Sequence, residues 1–270
     1  MKKFRVFVVL TLFACLQANA QSKSEFYGLG NRLGVSVGAG LTGITVDVST
    51  CLTPYVGIRA GMDFFPNIKI GSELDLEYDY QMASKYTELS GRELPSEIDV
   101  EGKTSMTTGH VLFDIHPFKT GFRVTAGAYF GGSKVVSVYN KQDGVLQDVY
   151  DYNHSLGVFA PLANNHPGKI GLALGDYLVE PTPDGNAEAV LKTNGFRPYV
   201  GIGFGHSVPK KRLGFQFDLG VQFWGSPKVY VQDKRLEEQD LNGDDGGVIK
   251  TISKITIYPC LSFRLTGKIL

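Results

Sequence analysis

The chain has 270 residues, with 27 basic and 27 acidic side chains, 33 glycines, 30 phenylalanines and tyrosines together, and three cysteines. A neutral balance without a basic run argues against nucleic acid as a partner, and three cysteines are too few for a scaffold built on disulfides. No run is long and apolar enough for a membrane-crossing helix, so glycine-rich, aromatic-rich segments of alternating polarity point to an all-β chain.

Lys2, Lys3 and Arg5 precede an apolar stretch, residues 6–15, and the small-x-small site Ala18-Asn19-Ala20. This pattern predicts a cleaved secretory signal peptide over residues 1–20, with residues 21–270 as the exported domain. Cleavage leaves 24 basic against 27 acidic residues. Cys15 as a lipidation site is the weaker reading, because the bulky Phe13 sits where such sites take small residues.

Alternation begins with Val35, Val37 and Ala39 against Ser36, Gly38 and Gly40, and after a tight Thr42-Gly43 turn Ile44, Val46 and Val48 alternate with Thr45, Asp47 and Ser49. Residues 55–65 set Val56, Ile58, Ala60, Met62 and Phe64 opposite Gly57, Arg59, Gly61 and Asp63. A long polar stretch, 67–103, follows; the alternation over 73–80 predicts a prolonged strand. Residues 104–117 carry Val111, Phe113 and Ile115 against Leu112, Asp114 and His116, and 122–139 form another alternating run containing Arg123. After an irregular stretch of about 50 residues comes a hairpin. Its first arm alternates Val200, Ile202 and Phe204 with glycines. Its second sets Leu213, Phe215, Phe217, Leu219, Val221 and Phe223 against Gln216, Asp218 and Gln222. A polar stretch with a helix-capable piece at 234–240 leads to the last strand, whose polar face carries Lys254, Thr256, Tyr258, Cys260, Ser262 and Arg264.

Eight strands joined alternately by short turns and long loops predict a transmembrane antiparallel up-and-down β-barrel, with short periplasmic turns and long extracellular loops, in the bacterial cell outer membrane. Alternation alone also fits a soluble calyx. The glycines decide, since Gly38, Gly40, Gly57, Gly61, Gly127, Gly201, Gly203 and Gly220 share the polar parity, and a narrow barrel has room for small residues inside. The lumen is then expected to hold Asp47, Arg59, Asp63, Asp114, His116, Arg123, Gln216, Asp218, Gln222, Lys254 and Arg264. Four acids and four bases in a dry interior favour a salt-bridged plug over a charged constriction. The loops are acidic, with net charges of −5, −5 and −4, and their aromatics, Tyr78, Tyr80, Tyr86, Tyr150, Tyr152, Phe159 and Tyr177, are expected to pack together over the mouth.

Catalytic groupings are weak. His110, His154, His166 and His206 show no partner in the sequence, and Asp114 with His116 suits a buried pair better than a base with its orienter. Asp240, Asn242 and Asp244 mimic a calcium loop, but glycine comes one place late and Thr251 stands where a bidentate Glu belongs. No enzyme activity, metal or cofactor is expected.

RPYVGIGFG, a short turn and GFQFDLGVQFWGSPKVYV, together with LGVSVGAGLTG, LTPYVGIRAG and HPFKTGFRVTAGAYF, resemble the CarO-like, carbapenem-associated outer-membrane proteins. The resemblance implies an eight-stranded barrel that takes up basic amino acids such as ornithine. The chain departs from it at the end, where Phe263 is followed by residues 264–270 instead of closing on an aromatic. The expected function is porin-like passive passage of small cationic or zwitterionic solutes. The alternative is a non-conducting barrel acting through its loops. Outer-membrane lipid and lipopolysaccharide are the expected partners.

Overall fold

The computed structural model describes residues 32–118, 120–174, 177–232, 234–236 and 254–270; the leader and the calcium-like stretch from Asp240 to Thr251 lie outside these residues. In chain order the elements run β1 (Leu33–Gly40), β2 (Gly43–Cys51), β3 (Val56–Phe64), β4 (Lys69–Glu77), α1 (Tyr80–Ser90), β5 (Glu97–Thr104) and β6 (Thr107–Ile115). Next come β7 (Phe122–Phe130), β8 (Lys134–Asn140), α2 (Gln147–His154), a 3-10 helix (Gly157–Leu162), β9 (Gly171–Leu174), β10 (Tyr177–Val179) and β11 (Glu188–Lys192). The last are β12 (Phe196–Phe204), β13 (Leu213–Phe223), β14 (Lys228–Val231), β15 (Lys234–Arg235) and β16 (Ile257–Lys268).

Eight of these strands close in the order β1-β16-β13-β12-β7-β6-β3-β2, every pairing antiparallel. The first strand zips onto the last, from Gly34 opposite Lys268 to Gly40 opposite Ser262, so no sheet edge is left open to lipid. Strand alternation then sorts the chemistry. Val48, Met62, Phe113, Ile202, Leu219 and Phe263 project outward and are 43–59% exposed, while Arg59, Asp63, Asp114 and Arg123 point inward with no exposed surface. Apolar outside and charged inside is the arrangement of a barrel whose solvent is lipid. Phe64, Phe130, Phe196 and Phe223 ring the outer face at one rim, and Phe122 and Phe204 stand at the other. The rim holding both ends of the described chain and the connections 52–55, 116–121 and 205–212 is termed lower; the turn at 41–42 and the three long connections leave the upper one.

In their described residues those long connections carry regular structure, including the second, where an irregular segment was expected. They pair with one another in a second eight-stranded sheet, β10-β9-β4-β5-β8-β11-β14-β15. The alternating run 122–139 is two strands, not one, because Gly131 and Gly132 adopt φ of 82° and 56° and break it. Of the alternation over 73–80 only residues 73–77 belong to β4, which pairs with β5 and β9; Asp79 and Tyr80 already open α1. Asp79 caps that helix, its carboxylate accepting from Met82 N at 2.7 Å, and Gly91 ends it in the left-handed region at φ 68°. In the helix-capable stretch 234–240, Lys234 and Arg235 form a strand against β14 instead, and residues 237–240 lie outside the described ones.

One face of the second sheet and the two helices enclose a core of their own: Leu76, Ile98, Val100, Tyr86, Leu146, Val149, Tyr152, Phe159 and Ile170 are all buried. Of the loop aromatics, Tyr86 stacks on Phe159 at 5.5 Å and Tyr152 meets Phe159 edge-on at 5.4 Å, with Tyr78 and Tyr177 at the margin. Tyr80 points to solvent, 86% exposed, and Tyr150 stacks on His154 instead. The three connections therefore form a folded cap.

Within the cap, Tyr86 Oη donates to Asp148 Oδ2 at 3.3 Å, and Asp148 in turn meets Arg92 at 2.5 Å. Burial and the Asp148 carboxylate push the Tyr86 phenol up to about 12. A raised phenol is stabilised in its neutral form, so its contribution is complete below the ordinary phenol value of about 10 and is lost as pH climbs from there towards 12. Near-ultraviolet circular dichroism of the cap aromatics is expected to show a cooperative loss in that window. Tyr86→Phe should shift that loss to higher pH; an unchanged alkaline limb would rule Tyr86 out as its source.

Candidate functional site

The barrel interior is where the inward parity of eight strands converges. Its middle is a continuous network of ions. Arg59 on β3 meets Asp114 at 2.7 Å through Nε and Asp218 at 3.2 Å through Nη1. Asp218 on β13 also receives Arg123 at 2.8 Å and Arg264 at 2.5 Å, so one carboxylate collects three guanidinium groups. Arg264 passes the chain to Asp47 at 3.0 Å, and Asp47 bonds His110 Nε2. His110 Nδ1 lies 2.7 Å from Asp63, which also accepts from Thr45 and, at 3.1 Å, from Thr42. With both ring nitrogens facing carboxylates, His110 donates on both sides only as a cation. Four carboxylates then face four cations.

The lower end is closed by the chain itself. The connection 205–212 folds into the barrel, burying Ser207, Val208 and Pro209. Ser207 Oγ donates to Asp114, and Ser49 Oγ donates to the Ser207 carbonyl at 2.6 Å. Gln216 Nε2 donates to Thr266 Oγ1 at 2.6 Å and to the carbonyls of His206 and Ser207. The His116 and His206 rings stack at 5.3 Å.

The upper end is filled by rings. Tyr129 and Tyr199 meet edge-on at 5.5 Å above Leu112, and Trp224 stacks on Tyr258 at 4.3 Å, with its indole N–H on Gln222 at 3.1 Å. Arg197, fully buried, donates to the Gly131 carbonyl at 2.7 Å and lies under Trp224, 5.9 Å from its ring. Glycines make room for these rings: a methyl at Gly201 would lie 2.5 Å from Tyr199 Oη and 2.8 Å from the Leu219 carbonyl.

Asp47, Arg59, Asp63, Asp114, His116, Arg123, Gln216, Asp218, Gln222 and Arg264 are thus all buried in this interior. Lys254 is not. It is exposed in a turn ahead of β16, which starts at Ile257, so the alternation extended backwards from the last strand misplaces it. His110, Arg197 and the tyrosines Tyr129 and Tyr199 belong to the interior and were not expected there. His110 could have been found, because it shares parity with Asp114 and His116 on one strand. Cys51 and Cys260 are free thiols. Among the described residues no group of three or more His, Cys, Asp or Glu is placed to hold a metal ion.

Two substitutions probe the packing. Asp218→Asn leaves three buried guanidiniums short of a charge, and a loss of about 3–5 kcal/mol is expected in the thermal unfolding of the refolded protein. Asp99→Asn on the cap surface should change it by under about 0.5 kcal/mol. Gly201→Ala should cost roughly 1–3 kcal/mol by overpacking against Tyr199, and Tyr199→Phe in the same chain should recover part of it. Additive losses would show that the phenol is not what fills the space.

The chain is similar to two crystal structures from Acinetobacter baumannii. Against CarO2 the identity is 18%, covering 88% of this chain and 98% of that one, with a TM-score of 0.44. Against CarO it is 16%, covering 87% and 96%, with a TM-score of 0.40. No family model matches the chain, and no curated protein does.

Proposed function

We propose that this protein is a bacterial outer-membrane barrel, oriented with its cap outside the cell, whose closed interior serves as a rigid membrane anchor and whose cap does the work at the cell surface. The observation that carries the reading is the interior itself. From the inserted 205–212 connection, through the ion network, to the Tyr129–Tyr199–Tyr258 layer, side chains fill the barrel across its height, and its central ions are fully buried. A diffusing solute would have to separate Asp218 from three guanidiniums in a medium of low dielectric, which costs several kcal/mol per uncompensated ion. The cap, by contrast, has its own core and leaves Lys69, Glu73, Asp75, Glu97 and Asp99, on the other face of its sheet, exposed.

A second reading, porin-like passive passage of small cationic or zwitterionic solutes, is favoured by the charge of the cap. Residues 67–103, 141–188 and 232–249 carry 22 acidic against eight basic side chains, and such a vestibule concentrates cations. This reading requires the plug to move.

The discriminating measurement is planar-bilayer conductance of the refolded mature protein. The anchor reading expects a folded protein, identified by heat-modifiable migration, that stays electrically silent, whereas discrete cation-preferring openings would overturn it in favour of passage. Removing residues 140–189 should abolish a surface-binding phenotype and leave the membrane electrically tight.

A further inference from the structure

The cap sheet has one face turned to its own core and one turned outward, and the outward face is divided by charge along its strands. Register places Lys69 opposite Lys103, Lys192 opposite Lys134, and Lys192 opposite Lys228. Ser137, paired with both Lys103 and Val190, puts the two groups on the same side of the sheet. Five lysines therefore lie in an oblique row across the five neighbouring strands β4, β5, β8, β11 and β14. At about 4.8 Å per strand the row spans roughly 20 Å. On the same face of β4 and β5, further from the barrel, the residues are Glu73, Asp75, Glu97 and Asp99.

The row lies just above the membrane belt. Phe64, Phe130, Phe196 and Phe223 mark the upper edge of the apolar outer face, and Lys69, Lys134, Lys192 and Lys228 each lie four or five residues beyond one of them, roughly 10 Å up a tilted strand. Lys69 and Lys134 are exposed and the other three partly so. Lys69 is bridged to Glu101 at 2.7 Å, and Lys192 lies over the Tyr230 ring at 4.1 Å. Long basic side chains above an aromatic girdle stand where headgroup phosphates lie, while Glu73, Asp75, Glu97 and Asp99 are held away from that plane and Glu101 alone of this face's β5 carboxylates reaches the row, at Lys69.

From this juxtaposition we propose that the lysine row binds the phosphate groups of the lipopolysaccharide surrounding the barrel, fixing the cap to the outer leaflet. The proposal rests on the outer-membrane reading above. The test uses the full mature chain refolded in phospholipid nanodiscs, titrated with diphosphoryl lipid A and followed by native mass spectrometry. Neutralising Lys103, Lys134, Lys192 and Lys228 to Gln should weaken binding at least about tenfold. Neutralising Lys210, Lys211 and Arg212 to Gln at the lower rim should change it less than about twofold. Wild-type protein should bind dephosphorylated lipid A at least about tenfold more weakly. Equal binding by the upper-rim variant and the wild type, or equal binding of the two lipids, overturns the proposal. A wild-type chain that never inserts into lipid overturns the outer-membrane reading instead, and this one with it.

Discussion

A charge that neither water nor lipid can reach has to be answered by another charge, and this barrel is organised around that requirement. Arg59, Arg123 and Arg264 project from three different strands and converge on Asp218 from a fourth. No two of these strands need be neighbours in sequence for the pairs to form, so the network ties the barrel across its axis, where ladder hydrogen bonds tie it only around the wall. Each member is costly alone and tolerable only in the company of the rest. The arrangement makes the closed state a single cooperative object, in which withdrawing one ion exposes the cost of several.

Filling follows from the same geometry. An eight-stranded barrel has an interior just wide enough for side chains. Guanidiniums and tyrosine rings occupy it at the levels where the same or the neighbouring strand supplies glycine, as Gly201 and Gly220 do for Tyr199, and a backbone connection occupies it at the lower end. The same glycines that give the polar parity its small residues therefore admit large ones from beside them in the wall, as Gly38 admits Arg264 and Gly127 admits Leu112. A wide lumen does not follow from many inward glycines; here they are the complement of bulky partners.

The barrel was legible because period-two alternation is local and repeated in eight strands, and because short and long connections alternate from the second one onward. The buried polar residues were legible for the same reason, ten of the eleven expected ones lying on or beside the inward parity of well-marked strands. Lys254 failed because parity was carried past the true start of β16. His110 went unnoticed although Asp114 and His116 share its parity, because its partners Asp47 and Asp63 come from strands far away in sequence. The cap was the least legible part. Its strands are two to nine residues long, and the sheet is completed only by pairs between different connections, as β5 with β8 and β4 with β9, so no single loop contains it whole. Yet α1 carried its start signal, Asp79, and its stop signal, Gly91, in the sequence.

Where the cap meets the membrane, the two halves of the molecule obey different solvents. Below the phenylalanine girdle, charge is forced inward, because lipid cannot solvate it. Above the girdle, charge is free to face out, and its sign is then sorted by height, lysines near the girdle and carboxylates beyond. A uniformly acidic cap would be repelled by an anionic leaflet and held to the barrel only by its strand connections. A basic hem reverses the force where the surfaces are nearest and leaves the acidic remainder standing clear. If the lysine row binds lipopolysaccharide phosphates as proposed, the loops' net negative charge and their lysine-bearing ends are two parts of one electrostatic arrangement.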